Sequence, residues 1–359
     1  MTTSTMKRTI SFYTIFFLAC EVVMKLSGIL SKIIVARCLT PYEYGLITLI
    51  VISIPAIFYY FTNFCLHDLL SHSKEGKKYF GFSVIYSLTT SIFIAVLIFL
   101  FYERFFSFLN LPLGMWKILF IAFFITLLPT SILNDITGLF RGLKSYADTS
   151  VIASLSPVLR LFSILIAIYL LHITNFTSIL IIFASSSAIA LLVVLTRYSR
   201  LIFLSLRPLN CPSKKIFFFG TSVYIVGLFG GLSQTLNKVV ISHDLGIVWQ
   251  GYFDISLTLV AILYLAFAAM RFISIPEATS AENREIFFKD SELGDVVRGL
   301  FAFLIFSVIL LYFYSTKLVE LLFGREYITA AEYAIIIAIG YIFLFIQQFL
   351  AYINVSFQE

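Results

Sequence analysis

Charge is scarce in this chain. Only 12% of its 359 residues are Asp, Glu, Lys or Arg, against 60% hydrophobic residues. A soluble domain of that composition would expose mostly hydrocarbon, so a water-soluble globular fold is excluded. Cysteine is scarce too. Cys20, Cys38, Cys65 and Cys211 form no CxxC pair and no zinc-ligand spacing, and they read as free thiols used as small hydrophobes. The histidines, His67, His72, His172 and His243, make no metal motif. No phosphate-binding glycine loop and no GxSxG occurs, so the residues offer no enzymatic site and call for no cofactor. Period-2 alternation is also missing, which argues against a transmembrane barrel.

What the chain has instead is a series of apolar runs of about 20 residues, each long enough to cross a bilayer as a helix. Ten spans are expected, at Ile10–Val35, Tyr44–Leu66, Phe80–Tyr102, Lys117–Thr137, Ser150–Leu171, Phe176–Thr196, Ile216–Ile241, Gln250–Met270, Val297–Thr316 and Ala331–Ile353. The fold class is an all-α polytopic membrane protein. "MTTSTMKRTI" resembles the start of a signal peptide but lacks a small-residue cleavage site, so it reads as a retained first span.

The connections alternate in charge. Lys7, Arg8, Lys74, Lys77, Lys78, Arg141, Lys144, Arg197, Arg200, Arg207, Lys214, Lys215, Arg271, Arg284, Lys289 and Arg298 fall on one side. Arg37, Arg104, Lys117, Lys317 and Arg325 fall on the other. Basic loops stay cytoplasmic, so both ends of this chain are expected inside a bacterial or archaeal cytoplasmic membrane. The net charge of +6 is thus dispersed between spans and implies no nucleic-acid partner. The longest connection, with "PEATSAENREIFFKDSELGD", is expected to form a short cytoplasmic surface helix.

An internal repeat appears at an offset of 206. Leu26 and Ser27 match Leu232 and Ser233; Lys32 matches Lys238; Leu39 matches Leu245; Gly45 matches Gly251. Span one therefore corresponds to span seven. The offset skips an even number of spans, which implies parallel repeats about an axis along the membrane normal. Residues 1–200 read as a first six-helix bundle, 201–215 as a cytoplasmic linker and 216–359 as a second bundle with helices seven to ten only. A full second half needs about two more helices, so the chain reads as C-terminally truncated.

"SKIIVARCLTPYEYGLITL" (Ser31–Leu49), "GLFRGLKSYADTSVIASLSPVLRL" (Gly138–Leu161) and "LLFGREYITAAEY" (Leu321–Tyr333) carry a resemblance. The chain resembles the polysaccharide transporter, or O-antigen flippase, family of the multidrug/oligosaccharidyl-lipid/polysaccharide exporter superfamily. That resemblance implies two helical bundles around a cavity. It also implies transport of a polyprenyl-diphosphate-linked oligosaccharide, the repeat unit of an O-antigen, capsule or similar envelope glycan. Partners would be that glycan, membrane lipids, and polysaccharide polymerase and export proteins.

The charges inside spans are the candidate site. Glu21, Lys25, Gly28 and Lys32 step by four, three and four, so they share one helical face, which must avoid lipid. The equivalent face of span seven carries Gln234 and Lys238. Lys25, Lys32, Arg160, Lys238 and Gln234 are the expected cavity residues, since cationic side chains suit a diphosphate. Glu21, able to pair with Lys25, and Asp135 are the expected positions for proton or ion coupling. Asn134 and Arg141 are expected at an inner entrance. The competing readings are a multidrug or cation antiporter, which would need an acidic cavity, a membrane polymerase or glycosyltransferase, which would need a large outer loop, and an inactive remnant.

Overall fold

The computed structural model describes residues 3–63, 70, 76–206, 214–261 and 292–356. Among these residues there are helices and no strand. Helix α1 is Thr3–Cys38, α2 is Pro41–Asn63, α3 is Phe80–Leu100, α4 is the short Tyr102–Phe108 and α5 is Trp116–Gly142. Helix α6 is Tyr146–Leu170, α7 is Phe176–Leu206, α8 is Lys214–Asp244, α9 is Ile247–Ala261, α10 is Glu292–Leu322 and α11 is Ala330–Ser356. Each of the ten expected spans overlaps one of these helices, with residues 64–66 of the second and 262–270 of the eighth lying outside the described residues. Among the described residues, six stretches are long and apolar enough to cross a membrane: Pro41–Asn63, Lys77–Leu100, Leu113–Gly142, Tyr146–Leu170, Phe176–Leu206 and Phe301–Leu322. Phe93, Leu192, Phe203 and Phe313 are each more than six-tenths exposed. A surface of such side chains is stable against lipid and not against water. The protein is an all-α polytopic membrane protein. The expected surface helix between spans eight and nine lies, except for Glu292–Asp295, outside the described residues.

Local sequence explains the breaks. The turn between α1 and α2 is a capping box: Thr40 Oγ1 accepts from the Glu43 N–H, and the Glu43 carboxylate accepts from the Thr40 N–H at 3.0 Å. Pro41 sits at the start of α2, where its missing N–H costs nothing. Further along, Pro55 cannot donate to the preceding turn, and α2 widens into a π-turn over Thr48–Ser53. There the Ile54 N–H reaches the Leu49 carbonyl, and the Ser53 hydroxyl donates to the Thr48 carbonyl at 3.0 Å.

Helix α7 runs past its expected end at Thr196. Tyr198 leaves helical geometry, and the helix resumes to Leu206. Two contacts hold the break. The Tyr198 hydroxyl donates to Asp148 at 2.5 Å, and its ring meets Phe140 edge-on at 4.8 Å. The extra turns bury Ile202 in a cluster with Ile136, Leu139, Phe140 and Val194. That burial outweighs the helix-terminating signal of the charged pair Arg197 and Arg200.

The helices fall into two compact units. One is Ala19–Gly251; the other comprises Met1–Leu18 and Tyr252–Glu359. In the first unit α5 is central and packs against α2, α3, α6 and α7. Two glycines of the repeat meet here. A Cβ on Gly45 would lie 2.3 Å from the Ile247 carbonyl oxygen, and one on Gly251 would lie 2.6 Å from the Pro41 carbonyl oxygen. Gly45 and Gly251 are 206 residues apart, and so are Pro41 and Ile247. The contact therefore maps onto itself under the repeat offset, as expected of two segments about a shared pseudo-two-fold axis. Beside it, the Thr48 hydroxyl donates to Gln250 Oε1 at 3.1 Å. In the second unit, α10 and α11 form a hairpin through Gly324, whose φ of 106° suits glycine. The buried alanines Ala330, Ala334 and Ala338 let α11 approach its neighbours closely.

Candidate functional site

A cavity of about 530 Å³ opens inside the first unit, between α2, α5, α6 and α7, with Met24 of α1 at its wall. That volume lies in the range of ligand pockets, roughly 300–1,000 Å³. Helix α5 contributes a polar stripe: Thr126, Thr130, Asn134, Thr137 and Arg141 all line it. They are spaced four, four, three and four apart, so they share one face over about 22 Å at 1.5 Å per residue. Helix α2 supplies Tyr59 and Tyr60 through the wall that its π-turn widens. Helix α6 supplies Ser156 and Arg160, and α7 supplies Ser187.

Arg160 is held in place from behind. Its Nε donates to Ser186 Oγ at 3.2 Å, and its guanidinium lies 4.4 Å from the centre of the Phe183 ring. The neighbouring hydroxyls of Ser156 and Ser187 bond each other at 3.2 Å. Pro157, inside α6, has no N–H, which leaves the Ala153 carbonyl at the wall without its usual helical donor. Among the described residues the lining thus holds two arginines, an amide, several hydroxyls and no carboxylate. Chemically this is a site for an anion with apolar flanks.

Three of the expected site residues come together here, Arg160, Asn134 and Arg141. Lys25, Lys32 and Lys238 do not line this cavity. They are half-buried on α1 and α8. On α1 the stripe of Glu21, Lys25, Gly28 and Lys32 is half-buried, whereas Val22, Val23, Leu26 and Leu30 on the other faces are exposed. The side chain of Gln234 lies outside what is described. Asp135, next to Asn134 in sequence, turns away from the cavity and is fully buried, with its Oδ1 accepting from the Ser83 hydroxyl at 2.7 Å. The tyrosines and threonines of the wall escaped notice in the sequence. The four- and three-residue spacing of polar residues on α5 was the signal that would have found the threonines.

The polysaccharide biosynthesis protein family matches residues 34–332. The chain belongs to that family. In fold this family member is similar to an inward-facing multidrug resistance MATE family transporter of the MOP superfamily. The identity is 14%, over 96% of this chain and 86% of that one, with a TM-score of 0.62. It is also similar to a MATE protein in complex with Br-NRF, at 15% identity over 93% of this chain and 84% of that one, TM-score 0.52. At these identities the likeness is one of fold. No curated protein matches the chain.

Proposed function

We propose that this polysaccharide biosynthesis protein is a flippase. It moves a polyprenyl-diphosphate-linked oligosaccharide across the cytoplasmic membrane by alternating access, with the basic loops and the N-terminus inside. The observation that carries the reading is the charge of the cavity: Arg160 and Arg141 line it, and no acid among the described residues does. A planar guanidinium anchored by Ser186 and Phe183 presents its remaining N–H groups to a phosphate in a fixed fork. The hydroxyls and Asn134 suit sugar hydroxyls, and the lipid tail stays in the bilayer outside the helices. Lys32 and Lys238, matched across the repeat, guide the anionic headgroup at the outer mouth. A polymerase and export proteins take the product on the outer face. A drug or cation exporter of the same fold is the second reading. The fold likeness favours it, and the arginine-lined cavity opposes it.

The test is a strain lacking the protein, complemented by the unsubstituted chain or by Arg160→Gln. The unsubstituted chain is expected to restore surface glycan. Arg160→Gln is expected to leave polyprenyl-linked repeat units accumulating on the inner leaflet. Normal surface glycan without the protein, and no accumulation of lipid-linked units, would refute the flippase reading.

A further inference from the structure

Behind the cavity, α2, α3 and α5 share a second polar region that the substrate reading does not use. Asp135 is 0% exposed. Its Oδ1 accepts from Ser83, and its Oδ2 has no hydrogen-bond partner among the described residues. One turn along α3, the Ser87 hydroxyl also acts on this carboxyl and donates to the Thr62 carbonyl at 3.0 Å. One turn back along α5, Ser131 and Thr62 join their hydroxyls at 2.8 Å. Two more buried oxygens of this three-helix seam, Asn63 Oδ1 and Ser91 Oγ, also lack partners among the described residues. No charged side chain among the described residues acts on the Asp135 carboxyl.

We infer that Asp135, Ser83, Ser87 and the Thr62 carbonyl form a binding site for one monovalent alkali cation, separate from the arginine-lined cavity. A bare carboxylate in a dry interior needs a positive charge beside it. The donors available are all oxygens, the set that hard cations take. A proton would answer the charge at one oxygen only. A cation answers the charge and also uses the remaining lone pairs of Ser83, Ser87 and the Thr62 carbonyl. A divalent ion would leave one positive charge uncompensated, because the seam has a single carboxylate. A monovalent alkali cation fits both counts, since it is held by the unused lone pairs of several oxygens at once.

The site stands apart from the glycan reading, and its test needs no transported substrate. The purified full chain in detergent is heated in sodium, potassium, lithium or choline chloride at constant ionic strength. One alkali cation is expected to raise the unfolding midpoint saturably over choline, and radioactive sodium or rubidium tracer is expected to bind at one per chain. Asp135→Asn abolishes both responses. Ser87→Ala keeps the carboxylate and raises the half-saturating concentration by about tenfold, the order expected from losing one contact to a charged group. Arg160→Gln keeps the alkali response, because the two sites are separate. Equal midpoints in alkali and choline salts overturn the proposal. So does an unchanged response in Ser87→Ala. A third refuting result is stabilisation by acid in choline to which no alkali ion adds, which would make Asp135 a proton carrier only.

Discussion

Substituting the paired glycines tests the repeat contact most sharply. Gly45→Ala places a Cβ 2.3 Å from the Ile247 carbonyl oxygen, and Gly251→Ala places one 2.6 Å from the Pro41 carbonyl oxygen. A carbon–oxygen contact settles near about 3.3 Å. The two chains must therefore part by about 1 Å for Gly45→Ala and by about 0.7 Å for Gly251→Ala. Both obstacles are backbone, so no side chain can swing aside. Overpacking of this kind costs about 1–3 kcal/mol. Replacing a helical glycine by alanine returns up to about 1 kcal/mol through propensity. Each single variant is expected to lose about 1–2 kcal/mol. The double variant carries the argument further. The separation that relieves one clash also relieves the other, because the same two turns face each other reciprocally. The double variant is then expected to cost about as much as the worse single, a coupling of about 1 kcal/mol in a double-mutant cycle. Unfolding titrations in mixed micelles read this directly. Strict additivity, or a neutral result for either single, would refute the reciprocal contact.

Other substitutions probe single features. Thr40→Val removes the side-chain cap of α2 and is expected to cost about 1 kcal/mol, while Thr40→Ser restores most of it, in the same unfolding assay. Asn110 donates through Nδ2 to the Ser242 carbonyl at 3.1 Å and the His243 carbonyl at 2.7 Å, and its φ is 54°. Asn110→Ala loses the bonds and strains the backbone, so it is expected to destabilise by more than Asn110→Gly, which loses only the bonds. Arg160→Lys keeps the charge but not the fork, and in the complementation assay it is expected to fall between the unsubstituted chain and Arg160→Gln. Tyr198→Phe removes the hydroxyl bonded to Asp148 at the break in α7, and about 1 kcal/mol of stability should go with it.

Much of the architecture was legible because hydropathy in lipid is a strong signal. A helix must satisfy its own backbone there, so apolar runs near 20 residues become spans. The end of α7 was misjudged because Arg197 and Arg200 look like a boundary. The chain bends at Tyr198 and buries Ile202 beyond them, which is tertiary packing and invisible to a window of hydropathy. Asn134, Arg141 and Arg160 were chosen for polarity alone, yet they line one cavity. The lysines at 25, 32 and 238 were chosen for charge on a shared helical face and, at 32 and 238, for their match across the repeat, and they do not line it. Polarity marks which side chains avoid lipid, not which neighbours they then meet. The repeat was read from matched lysines and glycines. The glycines proved informative because only a missing Cβ permits the Pro41–Ile247 approach. The serines at 83, 87 and 91 recur every four residues, so their shared face was readable. Its pairing with Asp135 required the packing of α3 on α5.

Asn134 and Asp135 are joined by one peptide bond, and successive helical side chains point about 100° apart. A single turn of α5 therefore has one side chain in the cavity and the next in the oxygen-lined seam. Their α-carbons are about 3.8 Å apart across a planar, stiff linkage. A displacement of Asn134 is transmitted to Asp135 almost undiminished. Pro129, just over one turn before, removes a backbone tether that would otherwise resist such a shift. Communication between the two environments needs no chain of relayed contacts through the protein. It is built into the covalent geometry of two consecutive residues.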